Sequence, residues 1–210
     1  LITLRHYFHQ HPELALQEVE TSAYIRKYLE KLGYEIVPIE PTGLIAELPS
    51  LRNREKLVVL RAEMDALPIQ EQTNLPYASV NQGCMHACGH DTHMAMLLGA
   101  VKMLNDVKSE INGTVRAIFQ PSEETATGAQ AVIKEGVLDG VSAIYGSHIW
   151  GNFDAPLVSV ESGKRMASCS SFKIEIEGRT AHGSAPNLGV DAIVVAASVI
   201  MNLQTYVSRN

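Results

Sequence analysis

Leu57-Val58-Val59-Leu60-Arg61-Ala62-Glu63-Met64-Asp65 opens on an unbroken apolar run and closes on two acids. Four apolar residues without polar alternation describe a strand buried on both faces, as in the interior of a parallel sheet. The acids stand just past its carboxyl end, where open α/β sheets gather their ligands. This segment therefore sets both the fold class and the first candidate for a site.

Upstream, residues 1–10 read as a short helix ended by His11-Pro12, because the residue before a proline is pushed out of the helical region. Residues 18–31 carry Val19, Ala23, Tyr24 and Tyr28 at helical spacing, and Gly33 stops the helix. Segments 34–38 and 43–48 are strand candidates, as is 57–62. Downstream, a helix to about residue 107 is followed by a strand at 114–119, a helix at 128–135, and strands at 142–149 and 157–161. Strands alternating with helices predict an α/β layer, with a largely parallel central sheet and flanking helices. Strict alternation at 172–177 and an apolar helix at 191–206 mark a second, smaller α+β domain. The expected division is 1–167 and 168–210, with the second domain ending before it could close.

The chain has 210 residues and is 46% hydrophobic, enough for a sizeable core. A net charge of −6 with 17 basic residues leaves no basic patch, so a small molecule, not nucleic acid, is the expected partner. Cys84, Cys88 and Cys169 are odd in number and spaced unlike a disulfide framework. That suits a reducing compartment, and the expected location is cytoplasmic. No run reaches the roughly 18 apolar residues needed to span a bilayer, and no signal peptide is visible, so no membrane association is expected. The chain opens on Leu1 without an initiator methionine, which points to a trimmed N-terminus.

The chemistry concentrates in Cys84-Met85-His86-Ala87-Cys88-Gly89-His90-Asp91-Thr92-His93, at the head of an apolar run from 94 to 101. Cys88 and His90, two apart in an extended segment, project to one side and could share or bridge metal ions. Asp91 or Thr92 can cap the following helix, whose dipole would favour a thiolate at Cys88. His86 and His93 read as supporting or packing groups, and Cys84 and Cys169 as structural. Two further strand ends carry donors: Gln120-Pro121-Ser122-Glu123-Glu124, and Tyr145-Gly146-Ser147-His148. Adjacent carboxylates repel unless something positive is near, and they point in different directions. That suits Glu124 as a metal ligand and Glu123 as general base on a metal-bound water. Taken singly, His148 reads as a strand-end histidine and Asp65 as a cap or turn residue.

Met85-His86-Ala87-Cys88-Gly89-His90-Asp91, with Met64-Asp65-Ala66-Leu67-Pro68, the Gln120–Glu124 run and Gly178-Arg179-Thr180-Ala181-His182-Gly183-Ser184-Ala185-Pro186, resembles a known family. It is the amidohydrolase branch of the aminoacylase and carboxypeptidase metallopeptidases, which includes hippurate hydrolase, the auxin-conjugate hydrolases and N-acetyldiaminopimelate deacetylase. The resemblance implies a two-metal catalytic domain interrupted by a lid and dimerisation domain, and hence a homodimer. It also implies Cys88, His90, Glu124 and His148 as metal ligands, with Cys88 bridging, and Glu123 as general base. Asp65 matches the acid that orients a ligand, and His182 the lid histidine that binds substrate or the oxyanion. Glu63 stands where the branch often has Asp, and Asn187 where it often has His. The family's last metal-binding histidine lies near the end of a chain about twice as long, so the 210 residues alone are expected to be inactive.

The expected activity is metal-dependent hydrolysis of the amide bond in N-acyl amino acids or related conjugates. The cofactors would be two divalent ions: a thiolate favours zinc, while carboxylates and imidazoles also accept manganese or cobalt. The alternatives are a dipeptidase or carboxypeptidase of the same family, or a non-catalytic metal-binding fragment.

Overall fold

The computed structural model describes residues 1–48, 56–168 and 171–206. The opening apolar run is strand β3 (Leu57–Glu63), set inside a five-stranded sheet with β1 (Glu35–Ile39), β2 (Gly43–Leu48), β4 (Thr114–Gln120) and β5 (Val141–Gly146). The order across the sheet is β1-β2-β4-β3-β5. β3 pairs in parallel with β4 and with β5, while β1, β2 and β4 pair antiparallel. The α/β architecture holds, and the parallel part is its β4-β3-β5 half. Residues 40–42 are too few for a crossover, so β1 and β2 can only form an antiparallel hairpin. Helical crossovers lead from β3 to β4 through α3 (His90–Asp106) and from β4 over to β5 through α4 (Gly128–Lys134).

Side-chain alternation along the strands loads both faces of the sheet. Leu44, Ala46, Ala117 and Phe119 face one core, which α1 (Ile2–Gln10), α2 (Val19–Lys31) and α3 cover with Phe8, Ile25, Leu29, Met94, Leu98 and Val101. Ile45, Val59 and Ile118 face the other, where Val132 of α4 and Val137 pack. Thr21, Ile25 and Leu29 are buried at four-residue steps, one stripe of α2. Gly33, at φ 79°, takes the left-handed turn that ends it.

The chain divides into two compact units, Leu1–Ala155 and Pro156–Asn210. In the second, Asp191 accepts hydrogen bonds from the backbone N–H of Ile193 and Val194 to cap α5 (Ala192–Leu203). The strands expected at 157–161 and 172–177 do not form. Leu157, Val158, Val160, Phe172 and Ile174 are all exposed, and alternation alone cannot make a ladder without a neighbouring strand. The strand expected to reach 149 ends at Gly146. Cys169 lies outside the described residues. Among those residues, no helix is long and apolar enough to cross a membrane.

Candidate metal centre

Three strand ends and one helix start converge on a single rim. Gly89, at φ 82°, is the N-cap of α3, and a side chain there would collide with Ile149. The left-handed turn presents Cys88 and His90 side by side. Cys88 Sγ lies 3.3 Å from His148 Nε2, just past β5. His90 Nδ1 donates to the Asp65 carbonyl at 2.8 Å, so its Nε2 carries the lone pair. That Nε2 lies 3.9 Å from Glu123 and 3.8 Å from Glu124. One donor atom each from Cys88, His90 and His148 falls within 4.8 Å of the others, and the same is true of His90, Glu123 and Glu124.

The glutamate loop is held from below. Ser122 takes φ 53°, and its N–H donates to the fully buried Glu18, which also accepts from the Thr42 hydroxyl. The Glu124 N–H donates to Asp65 at 2.9 Å, so Asp65 ties the loop after β3 to the loop after β4.

Charge at the rim is strongly one-sided. Burial pushes the Cys88 thiol up to about 12, and Glu124, Glu123 and Glu63 push it the same way. Burial first and these carboxylates second act against the thiolate that the helix dipole favours. Burial and the charge of Glu124 raise Glu123 above the ordinary carboxylate range. Burial pushes Asp65 upward too, but the His90 ring and the Glu124 and Glu123 N–H groups outweigh it and hold Asp65 low.

Two buried atoms here, His90 Nε2 and Asp65 Oδ1, have no hydrogen-bond partner. An imidazole lone pair left unpaired beside carboxylates and a thiol is costly unless a cation joins them. Sulfur, imidazole and carboxylate donors together fit a divalent metal ion.

His182 lies in the second unit, exposed, with Nδ1 accepting the Ser184 N–H at 3.2 Å. Its Nε2 is then the protonated nitrogen. Asp91 does not cap α3: it sits inside the first turn, where its carboxylate accepts from Arg5 and His9 at 3.1 and 2.9 Å. Cys84 is buried with its thiol directed at the Pro12 carbonyl. His86 is buried with neither ring nitrogen partnered, and burial pushes it down to about 4.

Sequence reasoning placed Glu63 among the acids at the strand end but missed its bond to His93. It lies two residues before Asp65 on one side of the chain, and it pairs at 2.8 Å with His93, three residues along α3 from His90. Both spacings place groups on a shared face and could have signalled the pair.

The profile of peptidase family M20/M25/M40 matches residues 59–204. The whole chain is 49% identical to N-acetylcysteine deacetylase of Bacillus subtilis (strain 168), covering 56% of it. It is 39% identical to N-acyl-L-amino acid amidohydrolase of Geobacillus stearothermophilus, covering 57%. The chain thus spans about half the length of the curated relatives it matches. Its structure resembles the crystal structure of Bacillus subtilis YXEP protein, described as a dinuclear metal binding peptidase, with TM-score 0.69 and 50% identity over 72% of this chain and 43% of that one. The profile covers well over half of the chain, and the chain belongs to peptidase family M20/M25/M40.

Proposed function

We propose that the protein of which this chain is part hydrolyses the amide bond of N-acyl amino acids or related small conjugates. The observation that carries the reading is the unpartnered His90 Nε2, aimed at Glu123 and Glu124 beside the Cys88–His148 pair. Cys88, His90, Glu124 and His148 would hold two divalent cations, zinc or manganese, with cobalt also compatible. When bound, such ions acidify a water and polarise the substrate carbonyl.

Glu123 is the general base. Its oxygens lie beside the donor cluster, and its raised pKa suits it to take a proton from the attacking water. It delivers that proton to the amine nitrogen as the C–N bond breaks, leaving a carboxylic acid and a free amine. Asp65 holds His90 and the Glu124 loop in register. His182 matches the lid histidine that binds substrate or the oxyanion, and its Nε2–H is the donor it brings to that task. In this reading residues 1–167 belong to the catalytic domain and 168–210 begin the lid, through which the protein forms a homodimer in the cytoplasm. Relatives that act on acetylated and acylated amino acids support that substrate class.

The test is Glu123→Gln in the full-length protein. Turnover of N-acetyl amino acids falls by about 10²–10⁴-fold, with metal content unchanged. Normal turnover in that variant would overturn the assignment, and preference for dipeptides over N-acetyl amino acids would move the substrate class to peptides.

A further inference from the structure

Glu63 and His93 are buried, 5% and 2% exposed, and the proposed reaction gives them no task. Together with His90 they could be taken for another cation site. Their hydrogen bonds exclude it. The Ile149 N–H donates to His93 Nε2 at 3.0 Å, so that lone pair is occupied. His93 must then carry its proton on Nδ1, which donates to Glu63 at 2.8 Å. Neither nitrogen is free to ligate.

The chain of bonds continues. Ile149 uses its other backbone group as well, because its carbonyl accepts from His148 Nδ1 at 2.6 Å. His148 is thereby protonated on Nδ1 and presents the Nε2 lone pair toward Cys88 Sγ, 3.3 Å away. Arg61 donates to Glu63 at the far end. The side chain of Ile149 closes over Gly89, between Cys88 and His90, with no room for a Cβ. Ile149 is thus fixed on three sides by groups that belong to the rim.

We infer that Glu63 and His93 are positioning residues which, through the backbone of Ile149, hold His148 in place and in the tautomer whose Nε2 can bind a cation. This rests on the reading of His148 as a ligand. Groups that orient ligating histidines contribute a large share of affinity although they never touch the metal.

The test uses the full-length protein carrying Glu63→Gln or His93→Gln. Glutamine at 63 keeps an acceptor for His93 without the charge, and glutamine at 93 keeps an acceptor near the Ile149 N–H. Nitrogen-15 spectra of the zinc-free wild type, with histidines labelled, should show His93 and His148 as Nδ1–H tautomers. Both variants should shift or broaden the His148 signals. Zinc titration against a chelator should show one of two sites weakened by about 10–100-fold, with saturating zinc restoring kcat in Glu63→Gln. An Nε2–H tautomer at His148 in the wild type overturns the inference, as do variants with unchanged His148 signals and zinc affinity. If one variant fails to fold, the other carries the test. A wild type with these tautomers that cleaves no N-acyl amino acid would instead defeat the proposed function and leave the positioning role standing.

Discussion

The rim of the sheet and the core beneath it are made from the same strands, yet they are packed on opposite rules. In the core, Leu44, Ala46, Ala117 and Phe119 meet Met94 and Leu98 with every side chain apolar and almost no exposed surface. One and three residues past the equally buried Ala62 lie Glu63 and Asp65, and one and three past Phe119 lie Gln120 and Ser122, just as buried but polar. Apolar burial is non-directional, so the core tolerates any close packing of the right volume. Polar burial is directional, and each donor must find its acceptor. Most do; besides the two ring nitrogens of His86, the unpartnered buried atoms among the described residues are His90 Nε2 and Asp65 Oδ1, which sit where the metal centre is proposed. The contrast teaches that stability and chemistry are separable here by depth along the same strand.

Substitutions on the two levels of α3 sharpen that contrast. Leu98→Ala empties fully buried space under the sheet and should lower the unfolding free energy by about 2–5 kcal/mol in denaturant titration, while zinc affinity stays the same. A fall in zinc affinity as large as that of Glu63→Gln would show that core and rim are not separable. Asp91→Ala is a smaller perturbation at the rim end. It strips one of the two carboxylate partners from buried His9 and the ion-pair partner from half-exposed Arg5, and should cost about 1–3 kcal/mol. Loss of stability without loss of turnover would mark this pair as a tie between α1 and α3 and not as part of the site.

The core was largely legible in the sequence because its signals are local. Leu57 to Leu60 announces a buried strand in four residues, and the run from 94 to 101 announces a buried helix. The donors at strand ends were legible for a related reason, since chain order and strand direction fix where Asp65, Glu123, Glu124 and His148 emerge. What escaped reading is pairwise and distant. Glu63 and His93 are 30 residues apart, and their bond depends on how α3 crosses β3. Asp91 looked like a cap because caps are common at helix starts, but Gly89 takes that place and frees Asp91 for His9. The alternation at 172–177 failed for the same reason: a strand is defined by its neighbour.

pH separates the two levels again, with the smallest effect and opposite signs. In the core, Tyr34 is buried and donates to the Val101 carbonyl, and burial pushes its hydroxyl up to about 12. Its folded pKa exceeds its unfolded value near 10, so the stability it contributes is complete below pH 10 and is lost as pH rises toward 12. At the rim, burial pushes Glu63 upward, but the His93 hydrogen bond and the charges of Arg61 and His93 outweigh it and hold the carboxyl at about 2. That contribution is complete above the unfolded value of 4.5 and is lost as pH falls toward 2. Urea unfolding across pH should therefore show an alkaline decline that Tyr34→Phe flattens and an acid decline that Glu63→Gln flattens, each on the order of 1–2 kcal/mol. If Tyr34→Phe altered the acid limb, or Glu63→Gln the alkaline one, the two levels would be electrostatically coupled and the division between them would fail.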